Sequence, residues 1–560
     1  MPFVATGVAR VPITPKVLSP DVTVSGQIDT DDVADVKAAG FKSIVCNRPD
    51  GEAHDQASSA SIAAAATDAG LAFRFVPVEP GKMTDEDAAA FSEALKALPM
   101  PVLAYCRSGA RSEKLWVRSR SIGAVPETAS KLTTELQKQT TTQGEDYSMT
   151  TQGLKHDIVI VGGGSAGIAA AASLLSRRSF LDIAIIEPAD THHYQPGWTM
   201  VGAGVFNAPD TARTMASVMP RQVKWIKATV NGFDPASDAV LLHDGRTITY
   251  KRLIVCPGLK LDWQKVEGLS ETLGKNGVTS NYRYDLAPYT WELVRTLKSG
   301  RAVFTQPPMP IKCAGAPQKA MYLSADHWYR NGSLKKFDIG FYNAGGVLFG
   351  VADYVPALME YVKRYDAKLN FFHNLVAIDG PAKKAWFNKA APNQPPEKVE
   401  VAFDMIHVTP PQCAPDFVRA SVLADAAGWV DVDQGSMRHK KFTNIFSLGD
   451  AGSMPNAKTA AAARKQAPIV AVNVLADLGY GKAAAAYDGY GSCPLTVERG
   501  KIVLAEFGYG GKLLPSFPTS FIDGTLPSRK AWFLKARMLP PIYWSAMLKG
   551  KEWLVKPEQI

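Results

Sequence analysis

Residues 156–175, HDIVIVGGGSAGIAAAASLL, decide the fold of the larger part of this chain. The apolar run ending at Val161 is strand-like, the glycines form a turn, and the alanine-rich continuation has the length and composition of a buried helix. Gly162, Gly164 and Gly167 spell G-x-G-x-x-G. The first glycine allows the tight turn, the second lets backbone approach a pyrophosphate, and the third lets the helix pack closely on the strand. The helix N-terminus then offers amide donors to phosphate oxygens. Glu187 ends the next apolar strand, LDIAIIE, where a carboxylate about 20 residues on can hold ribose hydroxyls. A glycine pattern alone also occurs as a structural turn. Here strand, turn, helix and acid stand in register, so a dinucleotide site is expected.

Downstream, LIVCPG (253–258, with Gly258) and FTNIFSLGD (442–450, with Asp450) resemble the second and third fingerprints of flavoproteins with two dinucleotide-binding domains. In those proteins the matching aspartate reaches the FAD ribityl chain. A second glycine fingerprint would bind NAD(P)H. The corresponding strand, RAVFTQ (301–306), runs instead into PPMPIKCAGAPQK (307–319). Prolines and a cysteine stand where a phosphate-cradling loop would be, which argues against a nicotinamide partner.

HHYQPGWTMVGAG (192–204), PIKCAGAPQKAMYLSADHW (310–328), HVTPPQCAPDF (407–417), ADAAGWVDVD (424–433), PNAKTAAAARKQAP (455–468) and YDGYGSCPLT (487–496) carry a wider likeness. Across 156–555 the chain resembles the type II sulfide:quinone oxidoreductases. The resemblance implies FAD, sulfide as electron donor, quinone as acceptor and a membrane surface as partner. It also makes Cys313 one of a redox pair flanking the flavin. A thiolate can carry sulfane sulfur as a persulfide, and Lys312 beside Cys313 favours the thiolate. The family's second cysteine is expected directly after Gly449-Asp450, where this chain has Ala451. Cys413 is then the nearest substitute, with a bystander role as the alternative, whereas Cys256 and Cys493 read as structural. Lys458 either favours a reduced, anionic flavin or is a solvated helix-end lysine.

The tail, residues 529–555, mixes aromatic and aliphatic side chains with Arg529, Lys530, Lys535, Arg537, Lys549 and Lys551. That pattern predicts a helix pair lying in the lipid interface, with core packing as the alternative. On the first reading, deletion from Arg529 leaves a soluble flavoprotein that has lost its membrane affinity.

Before the glycine fingerprint lies a polar stretch, KLTTELQKQTTTQGEDYSMTTQGLK (131–155), read as part of a linker. The segment before it alternates strand-like and helix-like runs, which implies a parallel sheet. In it PVLAYC leads into CRSGAR and a helix, placing Cys106 among backbone donors at a helix N-terminus. Cys106 and Arg111 are spaced C-x4-R, shorter than the C-x5-R of cysteine phosphatases and like the rhodanese loop. SGQI (25–28), GFKSIVCNRPDGE (40–52) and YCRSGARS (105–112) resemble the phosphatase-like domain found beside β-lactamase-fold hydrolases and persulfide dioxygenases. Cys106 is therefore a candidate sulfur carrier, with a phosphatase nucleophile and an inactive loop as alternatives. Arg107 and Arg111 would hold an anion, and Cys46, Arg48 and Glu52 are expected to line the same mouth, with core packing as the alternative for Cys46.

The expected fold class is α/β: a phosphatase-like domain (1–124), a linker (125–155), and an FAD-binding Rossmann domain in two parts (156–300 and 401–490). A second Rossmann-like domain (301–400) and a C-terminal docking region (491–560) complete it. Composition is that of a globular protein, 46% hydrophobic and 21% charged. The net charge of +9 does not by itself point to nucleic acid, and none is expected as a partner. Six cysteines in 560 residues suit free thiols and a cytoplasmic, peripheral-membrane setting. A small thiol or sulfite is the expected sulfur acceptor, no metal is expected, and a homo-oligomer is left open. Rival readings are a type II NADH dehydrogenase and a non-catalytic flavin-based sulfide sensor.

Overall fold

The computed structural model describes residues 16–19, 21–52, 56–79, 83–107, 109–122, 154–481 and 484–557. The chain forms two compact units, 1–147 and 148–560. The polar stretch 125–153 expected as linker lies outside the described residues.

In the first unit a five-stranded sheet runs in the order Lys16–Val17, Val22–Ser25, Val102–Tyr105, Ser43–Cys46, Ala72–Phe75. All pairs are parallel except the first. The inner strands are buried on both faces, as their unbroken apolar runs require. Helix Asp85–Ala97 begins with a capping box in which Thr84 and Asp87 satisfy each other's backbone donors.

The second unit opens on the fingerprint strand, Leu154–Val161, at the centre of a seven-stranded sheet. Ile183–Ile186 flanks it on one side and Thr247–Val255 on the other, both parallel. Ile445–Ser447 returns from far along the chain to pair with Leu253–Val255. Gly162, at φ +106°, passes so near Cys256 that a Cβ would lie 2.5 Å from its carbonyl oxygen. Gly167 would meet the Gly162 carbonyl at 1.9 Å. These two positions therefore demand glycine, as read from the sequence.

A second, wholly parallel sheet runs Val278–Thr279, Met405–His407, Gly300–Gln306, Phe337–Asn343, Lys368–Phe371. Its edges fall outside the expected 301–400, because short strands on either side complete it. The hairpin Gly491–Glu498 and Lys501–Phe507 also belongs here. Cys493, Leu495, Val497, Val503 and Ala505 pack with Ala320, Met321 and Tyr322 of helix Ala316–Arg330 in one core.

The tail departs most from expectation. Helical turns run from Arg529 through Ser545, continuous across a π-helical turn at Leu534–Met538. Tyr543, Trp544, Met547 and Leu548 are buried in the core of the fingerprint domain. Gly550, at φ +69°, lies against the fingerprint helix Ser165–Arg177, where a Cβ would sit 2.5 Å from the Ala172 carbonyl. Glu552 bridges Arg177 and accepts from Ser173 at 2.7 Å. The core alternative holds for these residues; among the described residues of the C-terminal region, Leu513, Phe521, Leu526, Phe533, Met538, Trp553 and Leu554 are the exposed large apolar side chains. No helix among the described residues is long and apolar enough to cross a membrane.

Candidate active site

At the fingerprint, Gly163 N–H donates to the Glu187 carboxylate at 2.8 Å, and Ala189 N–H donates to its other oxygen at 2.8 Å. A Cβ on Gly164 would meet nothing within 4 Å, so the backbone faces open space there. Gly449, at φ +72°, packs on Ala166 and delivers Asp450 to the same helix end. Gly258 also has a positive φ, +78°, and open space around it. With Gly164 facing open space and carboxylates at two strand ends, the turn fits a dinucleotide.

The sulfur centre lies where the second sheet's loop meets the third fingerprint. Cys313 N–H donates to the Lys458 carbonyl at 2.8 Å, and Lys312 N–H donates to the Gln412 side chain at 2.8 Å. Cys313 itself is held at φ +52°, a region that side chains other than glycine rarely occupy. Strain of this kind persists only where the surroundings over-determine it.

Cys493, not Cys413, is the thiol beside Cys313, with the two sulfurs 3.9 Å apart. Cys493, read from the sequence as structural, is fully buried in the core of the second sheet and is also the sulfur neighbour of Cys313. The hairpin that carries Cys493 closes over the turn after Cys313, where a Cβ on Gly315 would come within 2.2 Å of Leu495. Cys413 instead lies in a two-residue strand pairing with Lys260–Leu261, and its sulfur is 3.8 Å from Arg419.

Two buried lysines that the sequence reading missed converge on this pair. Lys319, one turn into helix Ala316–Arg330, reaches Cys313 Sγ at 3.1 Å. Lys535, read as a lipid-facing cation, is only 3% exposed and donates to the Pro196 carbonyl at 3.1 Å. The Cys493 thiol donating to Cys313, together with the charges of Lys319 and Lys535, holds the Cys313 thiol well below its usual range despite burial. Cys493 is pushed the other way, by that same hydrogen bond and by burial. Burial, then the neighbouring Lys319 charge, lowers Lys535 to about 7.

Lys458 points elsewhere. Its ammonium donates to the Asp450 and Gly452 carbonyls at 2.7 and 3.0 Å and sits 3.9 Å from the Trp429 ring centroid. It is 5% exposed, so the solvated alternative does not hold.

The Lys535 value gives a test. As pH rises through about 7, Lys535 loses its charge and Cys313 loses one of its two facing cations. Because the folded value lies below the ordinary 10.5, the folded state sheds this proton first, so the group's contribution to stability rises with pH between about 7 and 10.5. Lys535→Gln should shift the onset of Cys313 alkylation by iodoacetamide to higher pH. An unchanged alkylation profile would remove Lys535 from the sulfur centre's electrostatics.

At the fingerprint helix N-terminus a further contact joins distant segments. Tyr543 Oη lies 2.6 Å from both Ser165 Oγ and His192 Nε2, while His192 Nδ1 is 3.2 Å from the Gly163 carbonyl oxygen. Burial lowers His192 to about 4, so it is neutral.

In the first unit Cys106 is buried at the end of strand Val102–Tyr105. Arg111, in the first turn of helix Ala110–Ile122, donates to Glu52 at 2.6 Å and to the Asn47 carbonyl at 3.2 Å. Arg48 donates to the other Glu52 oxygen at 2.7 Å and to Gln27 at 2.9 Å. Arg107 is exposed. Cys46 is buried and its thiol is raised, first by that burial.

Comparison with known proteins divides at the same place. Residues 15–123 match the family described as beta-lactamase hydrolase-like protein, phosphatase-like domain. Residues 156–307 match pyridine nucleotide-disulphide oxidoreductase. The chain is 42% identical over 402 residues to the mitochondrial sulfide:quinone oxidoreductase of Dictyostelium discoideum, covering 71% of this chain and 87% of that one. The chain belongs to the sulfide:quinone oxidoreductases. The mitochondrial sulfide:quinone oxidoreductase of Mus musculus is 38% identical over 395 residues, 70% of this chain and 87% of its own length. The sulfide:quinone oxidoreductase structure from Aquifex aeolicus shares the fold, with a TM-score of 0.60 at 18% identity, over 72% of this chain and 97% of its own. The chain is thus an enzyme built on an α/β fold of the disulfide oxidoreductase type, with the phosphatase-like domain preceding it in sequence.

Proposed function

We propose that the chain oxidises sulfide to sulfane sulfur at Cys313 and Cys493 and passes the electrons through FAD to membrane quinone. The observation that carries this reading is the 3.9 Å approach of the two sulfurs beneath Lys319 and Lys535. In the oxidised centre the two sulfurs are joined as a disulfide. Hydrosulfide attacks one of them, and the other leaves as thiolate. The lower-pKa thiol leaves faster, so the attack falls on Cys493, giving a Cys493 persulfide and a Cys313 thiolate. Loss of two electrons from this pair joins the sulfurs again, now with one extra sulfur between them. An acceptor thiolate removes that sulfur as its own persulfide and restores the disulfide. FAD, when bound, supplies the two-electron acceptor between sulfur and quinone. Gly162, Gly164, Gly167 and Glu187 would hold its adenosine end, with Gly258 and Asp450 nearer the ring.

A type II NADH dehydrogenase is disfavoured, since Pro307–Pro310 and the sulfur pair occupy the place of a second phosphate-cradling loop. The exposed Phe521, Leu526, Phe533 and Met538, with Arg529, Lys530 and Arg537, are the part of the tail suited to lipid. Cys106 serves as a sulfur carrier that takes the sulfane sulfur onward to a small thiol or sulfite. With Cys493 present the centre can close without it, so Cys106 is an acceptor and not a required partner.

Sulfide titration of the purified protein tests the whole reading. Sulfide should bleach the flavin absorbance rapidly and quinone should restore it, while NADH should not bleach it. With a small thiol or sulfite present as final acceptor, Cys106→Ser should leave the first bleaching phase intact and slow steady-state turnover. Bleaching by micromolar NADH, or none by sulfide, would overturn the proposal.

A further inference from the structure

The Cys106 loop carries a charge arrangement that a phosphate-binding loop would not tolerate well. Glu52 lies between Arg48 and Arg111, at 2.7 and 2.6 Å, and the three side chains are only 15%, 5% and 13% exposed. Both guanidiniums pull the Glu52 carboxyl below its ordinary range, against the desolvation that opposes them. It is therefore ionised, and the loop's arginine is already paired with an internal anion. Bidentate recognition of a phosphate needs those same guanidinium N–H groups free. A dianion entering here would have to displace Glu52 or sit beside it as a like charge, out of bulk water. Neutral donors are still on offer. Ser112, next to Arg111, has a fully buried hydroxyl with no partner among the described residues, and Gly109, at φ +85°, turns the loop's backbone against Ser25.

We infer that Glu52 sets the specificity of the Cys106 loop, excluding phosphate monoesters and admitting the terminal sulfur of a persulfide. This rests on the reading of Cys106 as a sulfur carrier. The Cys106 thiolate attacks the outer sulfur of R–S–S–H; the S–S bond breaks, Cys106–S–S–H forms, and R–S⁻ leaves with the bonding pair. No net oxidation occurs and no second reactant is needed. The electrophile is the protonated, neutral R–S–S–H, so the one net positive charge of Arg48, Arg111 and Glu52 together is left for the departing thiolate.

The test uses the full-length protein, glutathione persulfide as donor and inorganic phosphate as competitor, with the Cys106 peptide mass reporting the added sulfur. In the wild type, millimolar phosphate should leave Cys106 persulfidation unaffected, and p-nitrophenyl phosphate should not be hydrolysed. Glu52→Gln should be persulfidated at a comparable rate but become sensitive to phosphate, with an inhibitory concentration lower by at least about tenfold. Normal persulfidation with equal phosphate sensitivity in both proteins would overturn the role of Glu52 alone. Cys106-dependent hydrolysis of p-nitrophenyl phosphate by the wild type would overturn it too, whether or not the variant folds. Absence of any sulfur on wild-type Cys106 would instead remove the sulfur-carrier reading beneath it.

Discussion

Replacing either Cys313 or Cys493 by serine is expected to lower sulfide-dependent quinone reduction by on the order of a thousandfold or more, as loss of a covalent nucleophile commonly does. The two losses should look alike in steady state, since one sulfur cannot form the bridge without the other. They should differ in a single turnover. In Cys493→Ser a hydroxyl can still donate to Cys313 in place of the thiol hydrogen bond that lowers it most, and Lys319 stays at 3.1 Å. With Cys313 gone, the remaining thiol has its pKa raised by burial. Alkylation at neutral pH should therefore be fast at Cys313 in Cys493→Ser and slow at Cys493 in Cys313→Ser. Both proteins should keep their flavin absorbance. Cys413→Ser, whose sulfur faces Arg419, should turn over within about threefold of wild type, as changes away from the reacting atoms usually do. A crippled Cys413→Ser with a healthy Cys493→Ser would reverse the assignment.

The second large effect concerns the tail. Truncation before Arg529 removes Tyr543, Trp544, Met547 and Leu548 from the core. At about 1.5–3 kcal/mol for each large buried side chain, the loss is roughly 6–12 kcal/mol. That is comparable to the whole stability of a typical domain, about 5–15 kcal/mol. The truncated chain should accordingly fail to accumulate as a folded flavoprotein. The milder Tyr543→Phe keeps the ring and removes only the hydroxyl between Ser165 and His192. It should fold normally and release FAD more readily, measured as a raised dissociation constant on dilution. A soluble, flavin-loaded truncation product would return these residues to the surface.

The contrast between core and tail marks where the sequence could be read. The fingerprint at Gly162–Gly167 was legible because strand, turn and helix follow one another directly in 156–175, although the backbone that Gly162 answers to, at Cys256, is 94 positions away. Gly258 and Asp450 were singled out by the resemblance of their motifs and not by a local constraint. Cys493 was not, although its motif was in view. Its place beside Cys313 is set by a hairpin that folds back across 180 residues of chain, and nothing in YGSCPL itself encodes that approach. Lys535 was misread because a lysine among aromatic residues has the same pattern whether it faces lipid or a buried thiolate. In the first unit, spacing gave Cys106 and Arg111, but the Glu52 ion pair depends on a loop that returns from the neighbouring strand.

The clasp of Tyr543 on Ser165 also fixes an order of events during synthesis. The partners are 378 positions apart. At about 5–20 residues per second, the fingerprint helix waits roughly 20–75 s for the residue that completes its N-terminal end. During that interval Ile445–Ser447, the strand that pairs with Leu253–Val255, is also still to come for much of the time. The nascent domain thus presents an unfinished cradle and an uncovered sheet flank until Tyr543 has emerged. A ribosome stalled before that residue would hold a chain whose fingerprint core is still open to chaperones and proteases.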